Sequence, residues 1–377
     1  MKSRHVFLSG DWAEVRPFAE VLATLDQQGA LDALPFMPEM IQYCGQRLQV
    51  SKSAHKTCDP TGATDLRRMK DAVHLTARCD GSGHDGCEAR CLLFWKTAWL
   101  KPVDGPAATR STSPDVDADG LRWMQAATRL PPNYAGEFRY RCQVTEIVPA
   151  TEAISRRSLR HFFEDVTRRN VPLPRLLWHL LRTFWKRLIA KLLKFIRPRG
   201  SATAPSSHPL HDSQAQSPIP LKTAQVLNLR PGELVQVRSE EEIKATLNRN
   251  WKNRGLVFEQ EMLRYCGKTY RVLGRVNHLI DEKSGRMIRL ANDCVILDGC
   301  HCAGLDNTAR LFCPRSPYFY WREAWLRRVE DPKPKEDLTM AKPVCLSVRV
   351  HALSDQGGSS LSRIRGGSPS VRVDQSF

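Results

Sequence analysis

The run "CDGSGHDGCEARC" places Cys79, His84, Cys87 and Cys91 on one glycine-rich loop. Thiolate sulfur and imidazole nitrogen are the donors that zinc favours, and a structural zinc site takes about four of them in a tetrahedron. Glycine supplies the backbone freedom that a loop needs to wrap an ion. Cys58 completes the expected set, with His55 or His84 as substitutes. Further on, "GCHCAGLDNTARLFC" offers Cys300, His301, Cys302 and Cys313. The expectation is therefore zinc, held by ligands drawn from Cys58, Cys79, Cys87, Cys91, Cys300, Cys302 and Cys313. The paired CxxC spacing of a zinc ribbon is missing. An iron–sulfur cluster, a redox role for Cys79, Cys87 and Cys91, and plain buried thiols all stay open.

These loops sit inside a repeat. Sliding the chain by 222 positions aligns residues 10–75 with 232–297 without a gap, with 20 identities in 66 positions. "FMPEMIQYCGQRLQV" meets "FEQEMLRYCGKTYRV", and after a drift of four residues "FWKTAWLKPV" meets "YWREAWLRRV". Under this correspondence Cys44, Cys79 and Cys87 match Cys266, Cys302 and Cys313. Pro317 stands where Cys91 would be, and Ile280 where Cys58 would be, so the second copy is the poorer zinc candidate. Glu39/Glu261 and Asp59/Asp281 recur as carboxylates and Arg16/Arg238 as a cation. Paired carboxylates can do acid–base work, but such residues more often cap helices, fix turns or pair on the surface. No dinucleotide, P-loop, zincin or nucleophile-elbow motif is present.

The elements that must position these residues read as β-rich. "ELVQVRS", "KTYRVLGRV", "MIRL" and "CVILDG" are strand-like, and "DEKSGRM" is a turn around Gly285. Ser239 with Glu242 three residues on is a capping box opening a short helix. "YWREAWLRRV" is expected as a short closing helix, and Cys44 and Cys266 as thiols within a strand. The fold class is α+β: two homologous SH3-like barrel-type modules, 8–150 and 225–331, joined by a basic helical segment at 151–200 and a flexible linker at 201–224. A disordered tail is expected over 332–377. The stretch "GLRWMQAATRLPPNYAGEFRYRCQVTEIV" is a helix-then-strand extension of the first module.

The formal net charge of +17 favours anionic partners. From Arg156 to Arg199, 13 Lys or Arg stand against two Asp or Glu. Within this stretch "RLLWHLLRTFWKRLIAKLLKFIR" forms an amphipathic helix. Its expected membrane or partner surface comprises Arg182, Trp185, Lys186, Arg187, Leu188, Lys191 and Lys194. A helix packed on the protein body is the competing reading. Nucleic acid is a weaker one, because the basic residues alternate with aliphatics. The N-terminal residues lack a secretory pattern, and no apolar run is long enough to span a bilayer. A cytoplasmic location is expected, with peripheral attachment at the inner membrane face, and no small-molecule substrate is indicated.

The segments "LPFMPEMIQYCG", "IDEKSGRMIRL", "EFRYRCQVTEI" and "FCPRSPYFYWREAWLRRV" resemble a set of bacterial proteins carrying the same two modules. The likeness extends to about residue 330. It implies a lineage but no activity, because none is established for that set. The leading expectation is a non-enzymatic tandem-module scaffold or adaptor. An enzyme, or an enzyme accessory subunit, with a metal or thiol centre in the Cys79–Cys91 loop is the alternative.

Overall fold

The computed structural model describes residues 5–106, 118–132, 136–155, 157–196, 227–290, 293–305 and 310–330. The linker at 201–224 and the tail at 332–377 lie outside the described residues. Each repeat builds one five-stranded antiparallel sheet, curled into a half-barrel. In the first module these are β1 (Trp12–Val15), β2 (Arg47–Ser53), β3 (Ala72–Arg78), β4 (Leu92–Lys96) and β5 (Leu100–Val103), in spatial order β4–β3–β2–β1–β5. In the second they are β6 (Leu234–Val237), β7 (Thr269–Arg275), β8 (Cys294–His301), β9 (Tyr318–Arg322) and β10 (Leu326–Arg328), in order β9–β8–β7–β6–β10.

The register repeats with the sequence. Trp12 faces Gln49 as Leu234 faces Arg271, and both offsets are the 222 of the alignment. Val50 pairs with Leu75 and Val272 with Leu297, and the next step of each ladder carries an irregularity at the same place. Such an irregularity adds local twist, which suits the curl of each sheet.

Each sheet closes over a private aromatic core. Phe36 meets Trp99 edge-on at 5.1 Å, and Phe258 meets Trp325 at 5.2 Å. The indole N–H of Trp99 donates to Thr24 at 3.0 Å, and that of Trp325 to Thr246 at 2.9 Å. All four tryptophans at positions 95, 99, 321 and 325 are fully buried. "YWREAWLRRV" is not the expected closing helix. It runs as β9, a single 3-10 turn at Glu323–Trp325, then β10. Aromatic side chains suit a pleated surface, and the tight turn drops both indoles into one core.

The repeated "PEMIQYCG" is a 3-10 turn followed by a reversal. Pro38–Tyr43 and Gln260–Tyr265 each form one. The methionine sulfur of each accepts a backbone N–H three residues back, at 3.2 and 3.3 Å. Cys44 and Cys266 therefore cap a 3-10 segment and do not lie within a strand. Gly45 and Gly267 follow with φ of 78° and 74°, a left-handed conformation that favours glycine. The expected capping box holds: Ser239 and Glu242 bond each other's backbone N–H at 3.0 and 3.3 Å.

Helices α1 (Phe18–Leu22), α2 (Ala118–Ala127), α3 (Arg160–Thr167), α4 (Leu173–Ile196) and α5 (Glu240–Lys244) complete the elements used below. The two modules pack against each other through reciprocal contacts. A hairpin of the first, Lys56–Cys58 with Leu66–Arg68, reaches the second module's cysteine loop, where the Cys58 N–H donates to the Cys313 sulfur at 3.2 Å. The matching hairpin of the second, His278–Ile280 with Met287–Arg289, reaches back, and the Ile280 N–H donates to the Cys87 sulfur at 3.4 Å. The acceptors are matched residues of the repeat, and so are the donors. The interface is thus the intramolecular counterpart of a two-fold dimer contact.

Candidate metal centre and thiol site

A cavity lies beside each of the two cysteine loops. The first is about 230 Å³ and is lined by Glu39, Cys79, His84, Cys87 and Cys91 of the first module and by Ile280 and Tyr320 of the second. The second is about 500 Å³ and is lined by the matched residues Glu261, Cys302, Cys313 and Pro317, with Cys58 in the place of Ile280.

In the first cavity, Glu39, Cys79 and His84 each point one ligand atom into a common space, all within 4.8 Å of one another. Glu39 comes from the 3-10 turn, Cys79 from the end of β3 and His84 from the glycine loop. They are 4%, 8% and 4% exposed. His84 Nε2 lies 3.7 Å from the Cys79 sulfur. Among the described residues neither Glu39 oxygen has a hydrogen-bond partner, and His84 Nδ1 has none. Buried polar atoms are almost always paired, and two bare carboxylate oxygens beside a thiol and an imidazole fit a metal ion. Among the described residues no other three His, Cys, Asp or Glu side chains meet this closely.

The loop is built to hold this geometry. Gly81 has φ of 81°, and a side chain there would strike the backbone of Cys87; one at Gly83 would strike the Glu39 carboxylate. Thr128, just past α2, donates to the Gly83 carbonyl at 2.7 Å. Asp85 is held by Arg129 and Tyr140. Without a cation, burial pushes the Glu39 carboxyl up from its ordinary range, with the facing Cys79 offsetting part of it. Burial also pushes the Cys79 thiol far up and the His84 imidazole down to about 4. A divalent cation reverses this preference, because a thiolate, a carboxylate and a neutral imidazole neutralise it within the buried site.

The second cavity answers the same carboxylate differently. Glu261 accepts the N–H groups of Ala303 at 2.6 Å and Leu305 at 3.2 Å and pairs with Arg264 at 2.9 Å. No histidine stands between Cys302 and Cys313. Instead Cys58 faces Cys313, and Arg315 reaches the Cys58 sulfur at 3.5 Å. Arg315 is in turn paired with Glu282.

The expected zinc set is thus distributed over several places. Cys79 joins Glu39 and His84. Cys87 accepts the Ile280 N–H, and the Cys91 carbonyl accepts the Cys79 N–H. Cys300 is buried in the second module's core. Cys302 lies 3.6 Å from Glu261, and Cys58 and Cys313 meet across the modules. The recurrence of Glu39 and Glu261 is the sequence signal for the carboxylate of this group. The other recurring charges are structural. Asp59 holds a turn through Thr61 and Thr64, Asp281 holds one through Ser284, and Arg16 and Arg238 pair with Glu20 and Glu242 four residues on.

Helix α4 docks by its start. Leu176 and Val171 pack on Leu311 and Phe312. Beyond them Leu181, Phe184 and Trp185 are 58%, 60% and 57% exposed. Leu188 is half-buried and Arg182 exposed, with its guanidinium over the Trp178 ring at 5.3 Å. The side chains of Lys186, Arg187, Lys191 and Lys194 lie outside the described set. No helix among the described residues is long and apolar enough to cross a membrane. No family model, curated protein or solved structure matches this chain.

Proposed function

We propose that the protein is a two-module zinc protein whose first cavity admits a small, largely apolar ligand to the metal. The observation that supports this most is the Glu39–Cys79–His84 triad, buried, with both Glu39 oxygens unpartnered, and opening on a cavity that both modules line. A sulfur, a nitrogen and an oxygen donor form a set zinc accepts, and three protein ligands leave a position open. That pattern belongs to metal centres that engage a ligand, whereas purely structural sites close with four. The second module supports the first and completes the cavity wall. This reading favours the enzyme or accessory-subunit alternative over a passive scaffold.

The test is metal content of anaerobically purified protein. One zinc per chain is expected in the wild type and in Cys302→Ser. Cys79→Ser, His84→Ala and Glu39→Gln should each lose it or weaken it at least tenfold. Protein that carries no stoichiometric metal, or metal that survives all three substitutions, overturns the reading.

A second reading concerns attachment, and the exposed apolar stretch of α4 favours it. The helix docks on an anionic membrane surface, with its aromatic face in the headgroup region and its basic residues against lipid phosphates. Each such cation contributes about 1 kcal/mol near that surface. Sedimentation with phosphatidylserine vesicles should fall at least tenfold for Trp185→Asp with Leu181→Asp. Equal binding by this variant would remove the helix from the interaction.

A further inference from the structure

The second cavity holds a nucleophile that the metal reading leaves unused. Cys58 is half-buried at the end of its hairpin strand, and Cys313 is buried on the opposing loop. The groups facing Cys58 are Cys313, Arg315 and, behind the guanidinium, Glu282, with Cys302 on the same cavity wall. Among the described residues no third metal ligand completes a cluster around this pair. A buried guanidinium aimed at a thiol that sits beside a second thiol is the arrangement of an oxidisable pair.

We propose that Cys58 and Cys313 form a peroxide-responsive pair whose disulfide ties the two modules together. The Cys58 thiolate attacks one oxygen of hydrogen peroxide, the O–O bond breaks, and the departing hydroxide takes a proton to become water. Cys58 is now a sulfenic acid. The Cys313 sulfur then attacks the Cys58 sulfur as its own proton leaves. The S–O bond breaks, and the second hydroxide departs as water. Two thiols and one peroxide give one disulfide and two waters, with two electrons passing from sulfur to oxygen.

The electrostatics agree with this order of events. The hydrogen bond from Cys313, and then the Arg315 guanidinium, hold the Cys58 thiol down at about 6 against its burial. Cys313 is pushed up, first by the Cys58 sulfur it bonds and then by burial. Once Cys58 is a neutral sulfenic acid, the first of these pressures is gone and Cys313 can ionise to attack. Burial pushes other thiols well away from reaction: Cys44, Cys300 and Cys302 to about 12, and Cys142 and Cys294 to about 11.

The experiment uses the full chain, one equivalent of hydrogen peroxide, and peptide mapping without reduction. A Cys58–Cys313 cross-linked peptide should form first, while the remaining cysteines stay open to alkylation after unfolding. The rate of Cys58 modification should rise about tenfold per pH unit below about 6 and level off above 7. In Cys313→Ser the cross-link should vanish, and dimedone should trap a sulfenic acid at Cys58. Oxidation of other cysteines ahead of Cys58, a native disulfide from Cys58 to a different partner, or a midpoint above pH 8 each overturns the proposal. Should Cys313→Ser fail to fold, the wild-type cross-link map and pH profile decide alone.

Discussion

The two cavities are lined by matched residues of one repeat and differ in the groups they gather. Glu39 and Glu261 occupy the same place on the same 3-10 turn, facing matched cysteines at 79 and 302. In the second module the carboxylate is consumed by two backbone N–H groups and an arginine. In the first it is left bare beside His84, a residue its twin loop lacks. The thiol site is the mirror case. The loop cysteine is present twice, at 87 and 313, and the hairpin residue facing it is Ile280 on one side and Cys58 with Arg315 nearby on the other. The two cradles share matched residues; one gathers a group that could hold a metal, and the other brings two thiols together.

The comparison is sharpest where the copies are identical. Trp99→Ala and Trp325→Ala should each cost roughly 3–5 kcal/mol, as deletion of a buried indole does. The two losses should agree within about 1 kcal/mol in denaturant unfolding. A large effect at one site alone would show that only one module's core limits stability.

The carboxylates should then part company. Glu261→Gln in metal-free protein should cost about 1.5–3 kcal/mol, because it weakens bonds to a charged acceptor. Glu39→Gln in the same protein should change stability by less than about 1 kcal/mol, since burial already favours the neutral carboxyl and an amide is its near-isostere. Equal losses would mean that the two carboxylates are both structural.

A third difference shows only in acid. His74 is fully buried on β3, its Nδ1 bonded to the Leu93 carbonyl at 2.9 Å, and burial holds its imidazole down at about 3. Its match in the second module is Ile296. A histidine kept neutral by the fold contributes stability that is complete above its unfolded value of about 6.5 and is lost as pH falls towards the folded one. Between about pH 6 and 4, His74→Gln should remove a slope of roughly 1.4 kcal/mol per pH unit. An unchanged slope would place the acid sensitivity elsewhere.

Much of the fold could be read from the chain itself. The 222-residue offset predicts matching registers in both sheets, and the capping box at Ser239 appears as expected. These features are local, or repeat with a fixed offset, and hydrophobic alternation with turn chemistry is enough to specify them. The closing "YWREAWLRRV" was harder, because a tryptophan four residues after another suits a helix as well as a strand–turn–strand with both rings on one core.

The sites were another matter. Composition indicated a thiol-rich loop, a recurring glutamate and a basic amphipathic helix, but not which of them meet. Glu39 reaches Cys79 and His84 only because the 3-10 turn packs over the end of β3. Cys58 reaches Cys313 only because each module's hairpin docks on the other's loop, 255 residues away in sequence. Residue types and the repeat belong to the sequence. The partnerships depend on packing between distant segments, where a single residue such as His84 or Arg315 decides what a shared cradle can hold.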